Sequence, residues 1–450
     1  MDFFSHFPSL VKEVFEAINK HGKAYIVGGF VRDFYLGMPH YHDIDVEIYG
    51  IEAEELENIL SKFSNVNLEG KSFGVYKIEA LSQFDFALAR TEKKNGHTHQ
   101  QFEITLDKHL TFKQASLRRD LTINAMLFDP FLNECIDPYG GLEDLKSKQL
   151  KAVNLDTFKE DPLRVLRVAR FLAKLPDFKV DEDLKLICQT MSKDLNYLSQ
   201  ERIYEEYCQI LMSTMPSRAF EFLKEINALP DFLKQMTNTM QRLDFHPEGS
   251  VFNHTMLVID LAAICKKQVD RPLYFMWAAL LHDIGKIKVS TPEGKAPNHD
   301  LVGEKMAQTL MFEISRDKKL TGYVSILVRT HMALMVAMKK DDDLPYLRVL
   351  KRIDGICQLN DLLLLSKCDK LGRKRQDYTT IEKFDAYIKK MKETYGSEAI
   401  KPIINGHDLI ENNFNMKQKY KQILDEAYTL QLKGYLKDEI IQKLKQKYKG

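Results

Sequence analysis

The first candidate binding residues in the chain are a glycine pair, Gly28 and Gly29. They follow an apolar run, residues 24–27, which predicts a buried strand. Glycine has no Cβ, so the backbone at this point can approach a phosphate closely. Residues 30–36 predict a short helix, whose first backbone amides would face the same anion. This order of elements predicts a phosphate-binding turn.

Two carboxylates, Asp43 and Asp45, stand where the next strand, residues 44–49, is predicted to begin. Because side chains alternate along a strand, both are predicted to lie on one face. Paired carboxylates bind hard cations such as Mg²⁺, and a metal pair stabilises the attacking and leaving oxygens of phosphoryl transfer. An acidic surface strand could contain the same two residues, but the preceding glycine pair and helix favour a catalytic site. Asp85, on another predicted strand at residues 84–88, is either a third carboxylate or an ordinary strand-edge residue.

A second polar group lies in residues 116–126, SLRRDLTINAM. Arg119 can pair with a triphosphate. Asp120 and Asn124 offer an acceptor and an amide for a ribose 2′-hydroxyl, the group that distinguishes RNA precursors from DNA precursors. A salt-bridged helix start would also contain such a run, so both interpretations stay open at this point.

A third group lies on a predicted helix, residues 160–175, where Asp161 and Arg164 are surface neighbours. Side by side, the carboxylate accepts and the guanidinium donates hydrogen bonds. Cytosine and adenine present an amino donor beside a ring acceptor, whereas uracil and guanine present a carbonyl that would face the carboxylate. The pair therefore predicts selection of C and A, because a mispaired buried edge is costly. A helix-start acid with an intrahelical ion pair is the structural alternative. Arg167 and Arg170 continue the series and are predicted near the triphosphate.

A fourth group is a series of histidines and aspartates in apolar helical segments. Its members are His254, His282, Asp283, His299, His331 and Asp369. One histidine on an apolar helix is usually a core residue, but a whole series would leave buried charges unsatisfied unless a metal held them together. Mixed imidazole and carboxylate ligands suit Mn²⁺, Ni²⁺, Co²⁺ or Fe²⁺ better than Mg²⁺. Such a metal would activate water against a phosphoester.

The predicted helices and strands that carry these groups belong to more than one domain, because the chain has 450 residues. The N-terminus predicts an amphipathic helix, whose apolar stripe is Phe3, Phe7, Leu10, Val11, Val14 and Ile18. Residues 53–63 predict a helix, and residues 74–78 predict a strand in the same sheet as the carboxylates. Residues 90–101 are polar and predict a mobile loop between strands, and long helices follow from about residue 236.

The composition, with 44% hydrophobic and 29% charged residues, is ordinary for a soluble globular protein. The net charge is +1, so any nucleic-acid surface must be a local patch. The six cysteines include no C-x-x-C pair, which fits a reducing cytosol and neither a zinc knuckle nor a disulfide framework. No apolar run suggests a membrane span and no signal-peptide pattern occurs, so we expect a cytoplasmic protein with no membrane partner.

Together, the first three groups resemble the class II nucleotidyltransferases, the family of CCA-adding tRNA nucleotidyltransferases and bacterial poly(A) polymerases. RRDLTIN, residues 118–124, is similar to the ribose-recognition motif of that family, and IDPYGGLEDL, residues 136–145, to the segment that closes its head. Glu160, Asp161 and Arg164 resemble its amino-acid template, in which protein replaces a nucleic-acid template. The histidine series resembles the HD phosphohydrolase superfamily.

The resemblance implies an α+β fold, with a small mixed-sheet nucleotidyltransferase head followed by a mostly α-helical neck, HD domain and tail. The implied boundaries are 1–150 for the head, 151–235 for the neck with its nucleobase-selecting helix, 236–380 for the metal-dependent phosphohydrolase domain and 381–450 for the tail. The implied reaction adds C, C and A to the tRNA 3′ end from CTP and ATP. The partners are then tRNA and these nucleotides, with no DNA expected.

Residue by residue, the resemblance makes Asp43 and Asp45 catalytic ligands of Mg²⁺. The nucleotide-binding residues would be Gly28, Gly29, Arg32, Arg119, Asp120, Asn124, Glu160, Asp161, Arg164, Arg167 and Arg170. The metal ligands of the HD domain would be His254, His282, Asp283 and Asp369, with His299 and His331 for a second metal or a phosphate. HD-bearing relatives suggest a 2′,3′-cyclic phosphate on damaged tRNA as the substrate. Residues 201–203, Glu-Arg-Ile, match a family motif that we interpret as structural bracing.

Three alternatives compete with this interpretation. A poly(A) polymerase of the same family would share the head motifs and need only ATP, although residues 71–78 look more like the CCA-adding form. A phosphohydrolase whose head binds RNA without catalysis is disfavoured by the intact carboxylate pair and the Arg-Arg-Asp run. A non-catalytic RNA-binding protein would need neither of the two metal sites.

Overall fold

The computed structural model describes residues 3–38, 41–69, 74–94, 102–414 and 419–448. The chain forms two compact units, Met1–Leu229 and Pro230–Gly450. The finer boundaries that the sequence predicts inside these units, near residues 150, 235 and 380, stay predictions.

All strands of the described residues lie in the first unit. They are β1 (Lys23–Val27), β2 (Ile44–Tyr49), β3 (Val66–Glu69), β4 (Val75–Ile78), β5 (Phe84–Leu88), β6 (Arg90–Lys94), β7 (Phe102–Leu106), β8 (Leu127–Asp129), β9 (Glu134–Ile136), β10 (Gln149–Leu150) and β11 (Lys179–Val180). Seven of them form one sheet in the order β3-β4-β5-β2-β1-β8-β9. β2 and β5 run parallel and the other neighbours antiparallel, so the predicted mixed sheet is confirmed.

Helices fill the rest of both units. Those of the first unit are α1 (Ser9–Asn19), α2 (Gly29–Tyr35), α3 (Ala53–Leu60), α4 (Phe112–Ser116), α5 (Gly141–Lys146), α6 (Leu155–Phe158), α7 (Leu163–Lys174), α8 (Glu182–Thr190), α9 (Gln200–Met212) and α10 (Ser217–Glu225). Those of the second unit are α11 (Asp231–Asn238), α12 (Val251–Cys265), α13 (Pro272–Leu281), α14 (Lys286–Val289), α15 (His299–Ser315), α16 (Lys318–Thr330), α17 (Ala333–Lys340), α18 (Leu344–Ile353), α19 (Leu359–Leu371), α20 (Tyr378–Tyr395), α21 (Gly406–Glu411), α22 (Tyr420–Leu432) and α23 (Lys437–Tyr448). Short 3₁₀ turns occur at Phe3–His6, Glu79–Leu81, Thr122–Asn124, Ser192–Tyr197 and Lys266–Gln268.

The N-terminal helix is shorter than predicted. Phe3–His6 form a separate 3₁₀ turn, and α1 begins only after Pro8. Proline lacks a backbone N–H and disfavours helical backbone in the residue before it, so the break falls at this position. The apolar stripe of α1 is nevertheless buried, as Val11, Val14 and Ile18 show.

The segment predicted as a loop at residues 90–101 is partly a strand. β6 pairs antiparallel with β7, from Arg90 opposite Leu106 to Lys94 opposite Phe102. Cross-strand hydrogen bonds satisfy the backbone of such a ribbon whatever its side chains are, so the polar sequence concealed it. Residues 95–101 lie outside the described part of the chain, as do residues 71–73 of the segment compared with poly(A) polymerases.

One stretch corrects the expectation that no segment could span a membrane. Residues Lys318–Lys340 are long and apolar enough by length and composition, although 61% of their most apolar window is buried within the protein. A turn at His331 and Met332 divides the stretch into α16 and α17. Core helices of a buried bundle meet the same criteria. α13, which ends just before His282, and α15, which begins with His299, both pack against α16.

Candidate active sites

A cavity of about 840 Å³ opens in the first unit, beside the C-terminal end of β1. Its basic residues are Arg32, Arg118, Arg119, Arg164, Arg167, Arg170, Lys174 and Arg202, and its acidic residues are Asp45, Asp120 and Asp161. This excess of cations suits a polyphosphate.

Ten of the eleven predicted nucleotide-binding residues line this cavity, together with Asp45. The exception is Glu160, which borders a separate cavity of about 60 Å³. Arg118, Lys174 and Arg202 also line the large cavity, although the sequence analysis gave the first two no role and the third only bracing.

The two predicted catalytic carboxylates differ in backbone conformation. Asp45 lies on β2, but Asp43 precedes the strand, is exposed and has a left-handed backbone with φ +52°. Strand alternation therefore does not put Asp43 on the face of Asp45, which corrects the prediction, and Asp43 is not among the described residues that line the cavity. Asp85, paired with Asp45 across the parallel strands, is the carboxylate that the sheet holds beside it.

The environment of Asp45 raises its pKa, although its side chain is exposed to solvent in the cavity. The largest cause is desolvation, because neighbouring protein atoms displace water from the carboxylate. The negative charges of Asp85 and Glu47 raise the pKa further. Arg119 and Arg118 oppose the shift. Clustered carboxylates of this kind attract a cation.

Gly28, which lines the cavity, allows the side chains of Arg119 and Asp45 to lie close to its backbone. Its φ is +73°, and a Cβ at this position would stand 3.1 Å from Arg119 Nη1 and 3.1 Å from Asp45 Oδ2. Only glycine fits both the backbone conformation and the space. The predicted strand–Gly–Gly–helix order is observed, with β1 before Gly28 and α2 beginning at Gly29.

A buried network fixes the predicted ribose-binding residues. Asn124 Nδ2 donates to Asp120 Oδ1 at 2.9 Å, and Arg32 Nη1 donates to Asn124 Oδ1 at 2.6 Å. Arg167 Nε donates to Asp120 Oδ2 at 2.6 Å. Burial would raise the pKa of Asp120, but Arg167, Asn124 and the amide of Leu121 lower it far below its ordinary value. The network links the head to α7.

Glu47 is a part of the site that the sequence analysis missed. It is buried on β2, two residues after Asp45, and accepts hydrogen bonds from Arg118, Arg119 and the Tyr49 hydroxyl. Burial raises the pKa of Glu47, but the two arginines outweigh this effect and lower it. The period of two from Asp45 was the available signal, since alternate residues share a strand face. Glu47 holds both arginines in place.

Asp161 and Arg164 both line the cavity, and each has its own anchors. Asp161 Oδ1 accepts from the amide of Leu163 at 3.1 Å, and its Oδ2 accepts from Arg202 Nη2 at 2.9 Å. Arg164 donates to the carbonyl oxygens of Thr157 at 2.6 Å and Arg118 at 2.7 Å. The helix-start role of Asp161 is therefore real, and it coexists with a position on the cavity wall.

The far end of α7 adds two further cations. Arg170 Nη1 donates to Glu206 at 3.1 Å and to Gln209 at 2.6 Å. Lys174 Nζ donates to Asp33 Oδ2 at 2.8 Å. Burial lowers the pKa of both Arg170 and Lys174, so an anion in the cavity would be favoured as an additional partner.

In the second unit, the histidine series comes together as one buried cluster. His254 lies on α12 and Asp369 on α19, whereas His282 and His331 directly follow α13 and α16. His299 is the first residue of α15. All six predicted residues, Asp283 included, are at most 9% exposed.

Three of the imidazoles form the same type of hydrogen bond with the backbone. The Nδ1 atoms of His282, His299 and His331 each donate to the carbonyl oxygen three residues earlier, at 2.7–2.8 Å. Their Nε2 atoms are buried and have no hydrogen-bond partner among the described residues. In the neutral ring, Nε2 then carries a lone pair, which is the form that binds a metal. Burial lowers the pKa of His331 to about 4, which keeps that ring neutral.

The lone pairs converge on the carboxylate of Asp283. His299 Nε2 lies 3.2 Å from Oδ1 and His331 Nε2 lies 3.8 Å from the same atom. His282 Nε2 lies 3.3 Å and His254 Nε2 3.7 Å from Oδ2. Lys286 Nζ already donates to Asp283 Oδ2 at 2.6 Å, and a metal ion would satisfy the imidazole lone pairs that Lys286 leaves facing the carboxylate.

His254 contacts Asp369 and two groups that were not predicted, the carbonyl oxygen of Gly372 and the carboxylate of Glu248. Its Nε2 lies 3.0 Å from Asp369 Oδ1, and its Nδ1 lies 2.8 Å from the carbonyl oxygen of Gly372. Glu248, also buried, has Oε1 3.1 Å from Nδ1 of His254 and 2.9 Å from Nδ1 of His246. Burial opposes protonation of His254, but Asp369 and Glu248 outweigh it and raise the pKa.

The cluster fits metal binding by the chemistry of its donors. His254, His282 and Asp369 form one set and Asp283, His299 and His331 another, and within each set the candidate ligand atoms lie within 4.8 Å of one another. Imidazole nitrogens and carboxylate oxygens are ligands of borderline transition metals. His299 and His331, left open by the sequence, therefore belong with the predicted ligands.

A second cavity, of about 690 Å³, opens beside Asp369. Its walls combine basic residues (Lys339, Lys370, Arg373 and Arg375) with apolar ones (Phe245, Met332, Met335 and Val336). The Nε atom of Arg373 is buried without a hydrogen-bond partner in the described part of the chain. This combination suits a ligand with a phosphate and an apolar ring.

Three protein families match parts of the chain. Residues 24–151 match the Poly A polymerase head domain, residues 177–240 the probable RNA and SrmB-binding site of polymerase A, and residues 251–359 the HD domain. The head match contains Gly28, Asp45 and Asn124 of the cavity but not α7, and the HD match contains the four histidines and Asp283 of the cluster but not Asp369.

Similar proteins cover most of the chain. A multifunctional CCA protein of Paracidovorax citrulli is 34% identical over 78% of this chain and 83% of its own length. One of Ralstonia nicotianae is 35% identical over 78% of this chain and 79% of its own. Among solved structures, the CCA-adding enzyme of Bacillus stearothermophilus in complex with CTP is similar in fold, with a TM-score of 0.65 and 20% identity over 98% of this chain and 97% of that one. The Thermotoga maritima CCA-adding enzyme complexed with tRNA has a TM-score of 0.58 at 19% identity, over 97% and 95% of the two chains.

Proposed function

Because the chain belongs to the family of multifunctional CCA proteins, which are nucleotidyltransferases, we propose that it adds C, C and A in turn to the 3′ end of tRNA from CTP and ATP. The observation that carries this proposal is the head cavity, where ten predicted nucleotide-binding residues and Asp45 surround a space of about 840 Å³. The names of the relatives and the CTP and tRNA complexes of proteins similar in fold support the same substrates.

In the proposed reaction, the tRNA 3′-hydroxyl attacks the α-phosphate of the nucleotide, and pyrophosphate leaves. Asp45 and Asp43, which lies just before β2 and is not aligned with Asp45 by strand alternation, are the proposed ligands of Mg²⁺, and the ion would supply Lewis-acid stabilisation of the attacking and leaving oxygens. Gly28 leaves room for the phosphate chain, and the guanidinium groups of Arg32 and Arg119 bind it with the N–H donors that Asn124 and Glu47 do not use. Because protein partners already hold both arginines, they need little reorganisation when the nucleotide binds.

Selection of the base is assigned to Asp161 and Arg164. Their anchors, Arg202 for the carboxylate and two carbonyl oxygens for the guanidinium, fix the two groups in the cavity wall. A base edge with an amino group beside a ring acceptor complements such a pair, and this admits C and A. Glu160 is not assigned to base selection, because it borders another cavity.

The test uses purified protein and tRNA that lacks its last three nucleotides. With CTP alone, the product should be two nucleotides longer, and CTP with ATP should add one more and then stop. Asp45→Ala should abolish both additions. Repeated addition from ATP alone would instead identify a poly(A) polymerase, and absence of any addition by the wild type would refute the proposal.

For the second unit, we propose a metal-dependent phosphohydrolase that acts on small phosphoesters such as a 2′,3′-cyclic phosphate. The unpartnered Nε2 atoms that face Asp283 support this proposal. His254, His282, Asp283 and Asp369 would hold a transition metal that supplies an activated water, and His299 and His331 would hold a second metal or bind the phosphate. Arg373 and Lys370 line the neighbouring cavity and would orient the phosphate.

The test measures phosphate release from a 2′,3′-cyclic nucleotide and from its monoester, with Mn²⁺, Ni²⁺, Co²⁺ and Fe²⁺ in turn. His282→Ala should stop release, whereas His407→Ala should not, because His407 is exposed and on α21. If wild-type protein released no phosphate with any of the four metals, this unit would act as a scaffold.

A further inference from the structure

Two cysteines stand side by side next to the histidine cluster. Cys265 is the last residue of α12 and Cys368 lies on α19, and their sulfur atoms are 3.7 Å apart. Cys368 is buried, whereas Cys265 is half-buried and so partly open to small solutes. Both are thiols, without a disulfide.

The same two helices carry ligands of the cluster. α12 bears His254, and Asp369 directly follows Cys368 on α19. His254 contacts Asp369 and, four residues after Cys368, the carbonyl oxygen of Gly372. A change in the spacing of α12 and α19 therefore acts on the residues that face the cluster.

We propose that Cys265 and Cys368 are an oxidation site, at which a hydroperoxide converts the two thiols into a disulfide. The Cys265 sulfur attacks the terminal oxygen of the hydroperoxide, the O–O bond breaks, and an alcohol (or water) leaves with the thiol proton. The Cys368 sulfur then attacks the sulfenic sulfur, the S–O bond breaks, and water leaves with the second thiol proton. Two thiols lose two electrons and two protons, and the hydroperoxide takes up both.

Disulfide formation must move the helices or their side chains. A disulfide has an S–S distance of about 2.0 Å, so the sulfur atoms must approach by about 1.7 Å from their present 3.7 Å. Asp369, a predicted metal ligand, directly follows Cys368 in α19. The oxidised protein should therefore bind a metal less tightly than the reduced protein. This second consequence rests on the proposed metal site, whereas the oxidation site itself does not.

The first measurement identifies the bond. Full-length protein is treated with hydrogen peroxide, remaining thiols are alkylated, and peptides are weighed before and after reduction. Wild type and the control Cys357→Ser, which removes a half-buried thiol outside the pair, should both give a Cys265–Cys368 crosslink. Cys265→Ser and Cys368→Ala should not. Alkylation of both cysteines after peroxide, or oxidation of Cys265 to sulfinic acid with Cys368 still alkylated, would overturn the proposal.

The second measurement tests the link to the cluster. Protein loaded with Mn²⁺ is passed through a desalting column, and bound metal is counted in reduced and oxidised samples. Oxidation should lower retention about twofold or more in the wild type and leave Cys265→Ser unchanged. Unchanged retention in a crosslinked sample would overturn the link alone. Reduced protein that retains no Mn²⁺ would count against the proposed metal site, while the crosslink would still decide the oxidation site.

Discussion

Gly28 and Gly37 have similar positive φ angles, +73° and +72°, but different surroundings. A Cβ on Gly28 would crowd Arg119 and Asp45, whereas a Cβ on Gly37 meets nothing within 4 Å. Each alanine substitution should lower the free energy of unfolding by about 1–2 kcal/mol. Only Gly28→Ala should reduce kcat/KM for nucleotide addition, by about tenfold or more, because it displaces groups at the reacting phosphate. Equal activity losses in the two variants would show that Gly28 matters for the fold alone.

Asp120 should make the stability of the first unit depend on pH. Its pKa in the folded protein is lowered, so the unfolded chain takes up the proton first, and stability is lost as the pH falls below the ordinary carboxyl value of 3.8. At neutral pH, Asp120→Asn should unfold at a lower temperature than the wild type, because Arg167 loses its charged partner. That difference in Tm should narrow as the pH falls from about 5 to about 3. A constant difference over this range would mean that the Asp120 charge is not stabilising.

Single residues also show where sequence patterns stop being informative. Asp45 and the histidine series could be identified from their types and spacing, because metal ligands occur in restricted sets. Glu47 had only its spacing of two from Asp45 as a signal, and Glu248 had none, because only the fold shows that histidines surround it. The left-handed backbone of Asp43 was equally invisible, because φ depends on the turn that delivers the chain to β2.

At the scale of elements, α7 shows what a helical pattern predicts and what it leaves open. The helix itself was predicted at residues 160–175 and is observed at Leu163–Lys174, after Pro162. Arg167 and Arg170 were predicted to lie near the triphosphate. In the fold, Arg164, Arg167, Arg170 and Lys174 all line the same cavity, because the cavity extends along most of the helix. The length of the cavity could not be inferred from the sequence of α7 alone.

The start of α7 should determine which bases are accepted. Asp161→Ala removes the carboxylate that would repel a carbonyl, so the preference for CTP and ATP over UTP and GTP should fall by about tenfold or more. The control is Asp156→Ala, whose side chain is 90% exposed and only pairs with Lys159. Competition among all four nucleotides measures the change. An active variant with wild-type selectivity would leave Asp161 as a helix-start residue braced by Arg202.

Strands show the same division between local and long-range information. β2 and β5 are observed where the sequence predicts them, because buried apolar residues recur at every second position along both strands. β6 escaped prediction because its residues are polar, and its strand conformation depends on pairing with β7, which follows it in the chain. Pairing partners are a property of the fold and not of either strand.

For the whole molecule, the two candidate sites lie in separate compact units, Met1–Leu229 and Pro230–Gly450. Their activities should therefore be separable. His282→Ala with Asp283→Ala should stop phosphate release and retain nucleotide addition, whereas Asp45→Ala should do the reverse. After chelation, Mg²⁺ should restore addition, and Mn²⁺ or another transition metal should restore phosphate release. If either set of substitutions abolished both activities while Tm stayed normal, one site would have to serve both reactions.

The orientation of the histidines in the cluster has a consequence for substitutions in its surroundings. His282, His299 and His331 each take their ring orientation from a carbonyl oxygen in their own turn of backbone, three residues earlier. No distant side chain has to be inherited along with them. Substitutions in the walls of the adjoining cavity should therefore change which ligand fits there without turning the three rings away from Asp283.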